Sequence, residues 1–184
     1  MSDDPTPPAA RLVRDFVNTY EPQTGEETLT SPDELRTWLA QRKLVPADAH
    51  LGEHDLTLAR TIREGLRSAL LGDAVDDSLN HALAEVPLRL VHTPGGWRLH
   101  AAGTGPAERA FAALADAIRQ CGEDGSWARL KVCARDSCHW AFYDASRNQV
   151  RRWCSMAGCG THIKNKRAYA ARTRRRRDEG GSTV

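Results

Sequence analysis

The chain has 184 residues, of which 40% are hydrophobic and 27% charged, with a net charge of only +2. This composition is that of an ordinary globular protein, and it excludes a disordered chain. No apolar run approaches the roughly 20 residues that cross a bilayer, so we expect no membrane segment. The opening residues MSDDPTPPAA lack the charged-then-apolar pattern of a secretion signal. The cytoplasm is therefore the expected location.

The first elements are a predicted flexible leader, 1–10, and a helix over 11–20, where apolar residues recur at helical spacing. The polar segment 21–30 is predicted to be a loop. A second helix begins with Ser31 as its N-cap, in the pattern of a capping box, and runs to about Lys43. Its predicted buried face consists of Leu35, Trp38 and Leu39.

Further along, helical spacing returns over 55–71, and Gly72 is placed to end that helix. A short helical turn is expected around Ser78–Ala84. The period then changes to alternation over 87–100, with a Pro-Gly-Gly turn in the middle, which predicts a β-hairpin. A long helix follows over 106–121.

Charge is distributed very unevenly along the chain. Residues 1–128 hold 12 Lys/Arg against 20 Asp/Glu, whereas residues 129–177 hold 14 Lys/Arg against only Asp136 and Asp144. The change of composition near Gly122–Ser126 predicts a domain boundary. The predicted organisation is a leader (1–10), an N-terminal helical domain with a hairpin (11–125), a basic module (126–177) and a flexible tail (178–184).

The basic module carries two short-spaced cysteine pairs, CARDSC and CSMAGC, with fifteen residues between them. Two such pairs are how a chain brings four thiolates to one tetrahedral zinc ion, and clustered cysteines in a reducing compartment bind metal more often than they form disulfides. The predicted ligands are Cys133, Cys138, Cys154 and Cys159. Four cysteines leave no open position for water, which favours a structural metal. His139 and His162 are the alternative ligands, and Cys121 is expected to be an inert core thiol.

The stretch DASRNQVRRWCS leads into the second cysteine pair, and RDFVNTY stands near the N-terminus. With its C-x4-C pair and this stretch, segment 129–177 resembles the CGNR zinc finger of bacterial proteins. RDFVNTY is similar to the start of the ABATE-type domain that precedes this finger. The resemblance implies a stress-induced transcription regulator. One departure is that Thr161 and His162 stand where the family motif has Asn-Arg. The whole pattern predicts an α+β fold, with a small ββα, treble-clef-like finger after a mainly helical domain.

The basic module also predicts nucleic-acid binding. Residues 147–177 contain eleven Lys/Arg and no acidic residue, and a helix that is basic on all sides after Cys159 has no way to bury itself except against phosphates. The candidate DNA contacts are Arg147, Arg151, Arg152, Lys164, Lys166, Arg167, Arg172, Arg174, Arg175 and Arg176.

Two alternatives stay open at this stage. The basic tail could instead bind an acidic protein, including the acidic domain of a second copy in a homodimer. The N-terminal domain could be an enzyme, although its polar residues show no nucleophile–base spacing, and we predict no catalytic residue. Within the regulator hypothesis, a small effector could bind near Asn18, Thr19 and Trp38.

Overall fold

The computed structural model describes residues 4–73 and 77–180, and in that part of the chain the side chains of Arg167, Ala171 and residues 173–180 are not described. The helices are α1 (Pro8–Val17), α2 (Pro32–Gln41), α3 (Glu53–Leu71), α4 (Asp77–Ala84), α5 (Pro106–Glu123) and α6 (Thr161–Gly180). The strands form three antiparallel hairpins: β1 (Tyr20–Glu21) with β2 (Glu26–Glu27), β3 (Leu88–Thr93) with β4 (Gly96–Ala101), and β5 (Leu130–Val132) with β6 (Ala141–Tyr143). The α+β prediction is confirmed.

Local sequence signals place most of these elements correctly. The Ser31 hydroxyl accepts a hydrogen bond from the main-chain N–H of Glu34 at 3.2 Å, as expected for the N-cap of α2. Gly72 ends α3 in the left-handed conformation, with φ of 78°. The predicted hairpin over 87–100 is present as β3 and β4, with Leu90 opposite Leu99.

The hydrophobic core lies between α1, α3 and α5, with α2 and α4 packed on α3 and the β3–β4 hairpin packed on α5. Its largest fully buried side chains include Phe16 of α1 and Ile62 of α3. α3 and α4 approach closely at Gly65, where a Cβ would lie 2.6 Å from the Cβ of Leu79. In the part of the chain that the structure describes, no helix is long and apolar enough to cross a membrane.

The N-terminal segment differs from the predicted leader 1–10, whose first three residues lie outside the described part. α1 begins at Pro8, Ala10 is fully buried, and Thr6 is 4% exposed. Asp4 fixes the segment before the helix, since it accepts hydrogen bonds from Thr6 Oγ1 at 2.6 Å and from Arg14 Nη1 at 2.9 Å. A polar, Pro-rich sequence is typical of a flexible leader, and the bonds from Arg11 and Arg14 of α1 to this segment are not visible in it.

The predicted loop 21–30 also contains more structure than its polarity indicates. Strands β1 and β2 pair Tyr20 with Glu27. Glu27 receives two hydrogen bonds from the buried guanidinium of Arg63, at 2.7 and 2.8 Å, and these bonds hold the hairpin on α3. The burial of Leu29 completes the attachment.

The composition change at Gly122–Ser126 does not coincide with a gap between two cores. The β5–β6 hairpin contributes Leu130 and Ala141, which are 4% and 0% exposed, to the same core as α1, α3 and α5. Trp127 and Tyr143 pack partly buried against that core. The first strands of the finger are therefore part of the N-terminal core. The sequence becomes strongly basic after Ser126, but the hydrophobic core continues past that point into β5 and β6. At the other end, α6 extends through 178–180 of the predicted tail, and 181–184 lie outside the described residues.

Candidate metal centre and basic surface

Four cysteine sulfurs meet at the base of the finger. Cys133 follows β5, Cys138 lies in the turn before β6, and Cys154 and Cys159 flank the start of a π-helical turn that leads into α6. Their Sγ atoms all lie within 4.8 Å of one another. The Cys138–Cys154 and Cys154–Cys159 sulfurs are 3.8 and 3.7 Å apart. Four zinc–sulfur bonds of about 2.3 Å in a tetrahedron put the sulfurs about 3.8 Å apart. The donor set therefore fits zinc.

The pKa values of the clustered thiols show that a bound cation would stabilise them in the deprotonated form. Burial raises the pKa of Cys138 to about 11. Burial, together with the nearby Cys138, raises the pKa of Cys154 far above the ordinary value. Burial also opposes ionisation of Cys159, but a hydrogen bond from Arg135 to its sulfur at 3.8 Å helps to bring its pKa below the usual value. A divalent ion supplies the positive charge that keeps such crowded thiols deprotonated.

The four cysteines of the cluster would fill the coordination sphere of a zinc ion. His139 and His162 are not members of the four-residue cluster among the described residues. Four cysteines without an open position make a structural zinc site, whose binding energy contributes to folding. The predicted zinc ligands thus converge as the sequence indicates, and Cys121 lies fully buried in the core, away from them.

Asp144 organises the loop between the two cysteine pairs. Its side chain is fully buried and accepts hydrogen bonds from Lys131 Nζ at 2.7 Å, Ser146 Oγ at 2.5 Å and the main-chain N–H of Arg151 at 2.9 Å. Burial alone would raise the pKa of this carboxyl, but the bonds from Lys131 and Ser146 hold it far below its usual range. The carboxylate therefore stays ionised and fixes the loop that carries the basic residues.

The predicted nucleic-acid contacts fall into four groups. Arg147 and Arg152, on the loop, are exposed. Arg151 points inward: its guanidinium donates to the carbonyls of Trp153 and Cys154 and lies 4.8 Å from the ring centroid of Phe142. On α6 the side chains of Lys164, Lys166 and Arg172 are exposed. The remaining predicted contacts, Arg167, Arg174, Arg175 and Arg176, have side chains outside the described part of the structure.

Two family models match the chain. Residues 129–177 match the CGNR zinc finger, and residues 10–136 match the ABATE family, described as "Putative stress-induced transcription regulator". The chain belongs to the ABATE family. No curated protein matches it. The two matches overlap over 129–136, which contain β5 and Cys133, in agreement with the shared core.

Two polar side chains of the ABATE domain attach the CGNR finger to it. The Asn18 side-chain amide donates to the carbonyl of Ala141 and accepts from its N–H, both at 2.8 Å. Arg67 is 5% exposed and donates to the carbonyl of His139 in the finger at 2.9 Å and to that of Val17 at 2.6 Å. The Asn18 of the DFVNT motif is thus a structural clamp on β6.

Arg67 is a functional residue that sequence analysis does not identify. A weak signal exists, because Arg63 and Arg67 directly follow Ile62 and Leu66, so both lie at the edge of the apolar stripe of α3. A basic side chain at a buried edge needs partners. The sequence cannot name them, since the carbonyls that Arg67 binds belong to two distant parts of the chain, Val17 and Tyr20 in one and His139 in the other.

The residues predicted to lie near an effector line one pocket. Asn18, Thr19 and Trp38 share it with finger residues of β6 and the following loop, so the pocket lies at the junction of the ABATE domain and the CGNR finger. Its volume is about 560 Å³, within the range of small-molecule sites.

Proposed function

We propose that this CGNR protein is a cytoplasmic, zinc-containing DNA-binding transcription regulator whose ABATE domain is a sensory or interaction domain. The matched families are of regulator and zinc-finger types, and neither is an enzyme family. We further propose that the chain is not an enzyme. The zinc ion has a structural role in this proposal: it joins the loop after β6 to the start of α6.

One observation carries the proposal. Five exposed basic side chains lie on two elements that the same four cysteines join, and no acidic residue occurs between 147 and 177. These side chains are Arg147, Arg152, Lys164, Lys166 and Arg172. A concentration of unopposed positive charge on one small module is what a polyanion recognises.

The two elements have different roles in the proposal. Arg147 and Arg152 project from a loop that Asp144 fixes from inside, so they can make contacts of defined geometry, including contacts to bases. The α6 side chains supply contacts to phosphates, which position the protein without reading sequence. Arg151 is the exception among the predicted contacts, because main-chain carbonyls already occupy its guanidinium. We propose that it orients the loop.

The test is the salt dependence of duplex affinity, measured by fluorescence anisotropy on the full-length, zinc-loaded chain. If the five exposed side chains neutralise five phosphates, log affinity falls against log salt with a slope of about −4.5. The double variant Arg147→Ala/Arg152→Ala should lower the magnitude of that slope by about 1.8. Arg89→Ala, which removes an exposed charge from β3, is the matched control and should leave the slope unchanged.

The second candidate is binding of the basic surface to an acidic protein, and the observation that favours it is the acidic excess of residues 1–128. Duplex affinity that is independent of salt, or that is unaffected by the double variant, would support this candidate over DNA. Homodimerisation through such contacts stays a prediction. Light scattering at low and high salt tests it, because a dimer held by opposite charges dissociates as salt rises.

A further inference from the structure

We propose that the pocket at the junction of the ABATE domain and the CGNR finger binds a small organic monocarboxylate with a flat, unsaturated body, and that Arg42 receives the carboxylate. The inference deepens the proposed sensory role. The effect of the ligand on DNA affinity rests on the proposed function, whereas binding of the ligand to the pocket does not.

The pocket is built by both parts of the chain. α1 and α2 contribute Asp15 and Trp38, and the finger contributes Trp140, Phe142 and Arg151. A ligand in it therefore contacts both parts at once. Ligand sites often lie at such junctions.

The lining carries charges of both signs. It has three guanidiniums, of Arg14, Arg42 and Arg151, two carboxylates, of Asp4 and Asp15, and the zinc ligand Cys154. Arg14 is paired with both carboxylates and Arg151 lies at Cys154, so Arg42 is the guanidinium available to a ligand. One available guanidinium matches a monoanion better than a dianion.

Arg42 is the guanidinium of this lining with the least complete pairing. Arg14 forms ion pairs with both carboxylates, with Asp4 at 2.9 Å and with Asp15 at 2.8 Å. Asp15 is 3.9 Å from Arg42, beyond hydrogen-bond distance. Among the described residues, Arg42 has one hydrogen bond, which it donates to the carbonyl of Trp38 at 3.2 Å. The planar fork of an arginine suits bidentate binding of a carboxylate.

Burial supports this assignment. It lowers the pKa of Arg42, and Asp15 offsets the effect only in part. A partly desolvated cation gains more from an incoming carboxylate than an exposed one does, since the local dielectric is lower.

The body of the ligand is inferred from the aromatic lining. Trp38, Trp140, Phe142 and Tyr143 line the pocket, and the Arg42 guanidinium already lies 3.8 Å from the centroid of the Trp38 ring. Aromatic side chains in the lining favour a flat, unsaturated ring over a branched aliphatic chain. A ligand against Phe142 and Arg151 would also contact the base of the loop that carries Arg147 and Arg152, which connects occupancy to DNA affinity.

The experiment uses matched pairs of probes on the full-length, zinc-loaded protein: benzoate with benzamide, and indole-3-carboxylate with its amide. Affinity is measured by calorimetry, and the indole N–H signals of Trp38 and Trp140 are followed by NMR. Each carboxylate should bind at least tenfold more tightly than its amide and should shift both signals saturably. Equal binding within each pair, or no saturable binding of either carboxylate, would overturn the proposal.

Variants assign the anion to Arg42. Arg42→Gln should lower carboxylate affinity at least tenfold and leave amide affinity unchanged, whereas Arg42→Lys should retain part of the preference. Arg36→Gln, on the helix that Arg42 caps and outside the pocket, is the matched control. Carboxylate affinity that survives Arg42→Gln in a folded protein would overturn the assignment.

A duplex titration, with and without benzoate, separates the two proposals. Carboxylate binding without DNA binding refutes the proposed function and leaves the site standing. DNA binding without carboxylate binding refutes the site alone.

Discussion

Replacing Asn18 with alanine should destabilise the whole chain and not only the finger. The Asn18 amide makes two hydrogen bonds of 2.8 Å with the main chain of Ala141, a residue with no exposed surface. The variant leaves a buried donor and a buried acceptor unpaired, each at a cost of about 1–3 kcal/mol. Asn18 is half-buried and borders the junction pocket, so water can reach the vacated space. The two unpaired groups together would cost about 2–6 kcal/mol if they stayed dry, and since water can reach them we expect a loss of about 2–3 kcal/mol.

Urea unfolding of the zinc-loaded protein, followed by far-ultraviolet circular dichroism, measures this loss. Asn80→Ala, at an exposed position on α4, is the matched control and should change the free energy of unfolding by less than about 0.5 kcal/mol. An Asn18→Ala protein as stable as the control would refute the reasoning. Two separate transitions in the wild type would also refute it, because they would mean that the finger and the ABATE domain do not share one core.

Three other predictions concern the zinc site, the buried Asp144 and the close approach of α3 and α4. Metal analysis should find one zinc per chain in the wild type and little in Cys154→Ser, and zinc retained in the variant would contradict the site. A chelator should lower the unfolding midpoint of all the helices, since β5 and β6 belong to the common core. Asp144→Asn breaks a buried ion pair with Lys131 and should cost about 3 kcal/mol or more. The pKa of Asp144 is depressed in the folded state, so its carboxylate stabilises the fold above about pH 4, and this stabilisation is lost as pH falls toward the folded pKa. Acid titration should therefore show a shallower loss of stability in Asp144→Asn than in the wild type. Gly65→Ala should cost about 1–3 kcal/mol by thermal unfolding, because its Cβ would meet Leu79, whereas Gly122→Ala in open space on α5 should be neutral or stabilising.

Local chemistry explains what the sequence predicts well. The N-cap at Ser31, the end of α3 at Gly72 and the Pro-Gly-Gly hairpin each depend on a few neighbouring residues, and all three are present. The zinc ligands are predictable for the same reason, since two close cysteine pairs need only one chain reversal to meet. Sequence alone therefore predicts most of the elements and the metal site, but not the β1–β2 hairpin.

The relation between the two halves depends on long-range contacts, and the sequence does not predict it. Asn18 and Ala141 are 123 residues apart, and Arg67 reaches His139 across 72 residues. The orientation of Arg151 is another such case, because a basic residue in a basic run looks like a DNA contact until its carbonyl partners are seen. The sequence shows where the charged residues are, but only the fold shows which of them are buried or paired.

Hydrogen exchange of the full-length, zinc-loaded chain with and without a duplex tests the central claim most directly. DNA recognition by the finger predicts slower exchange in residues 144–152 and in the first three turns of α6, with α4 and the β3–β4 hairpin unchanged. Protection confined to the ABATE domain, or no protection at a duplex concentration that saturates binding, would contradict it.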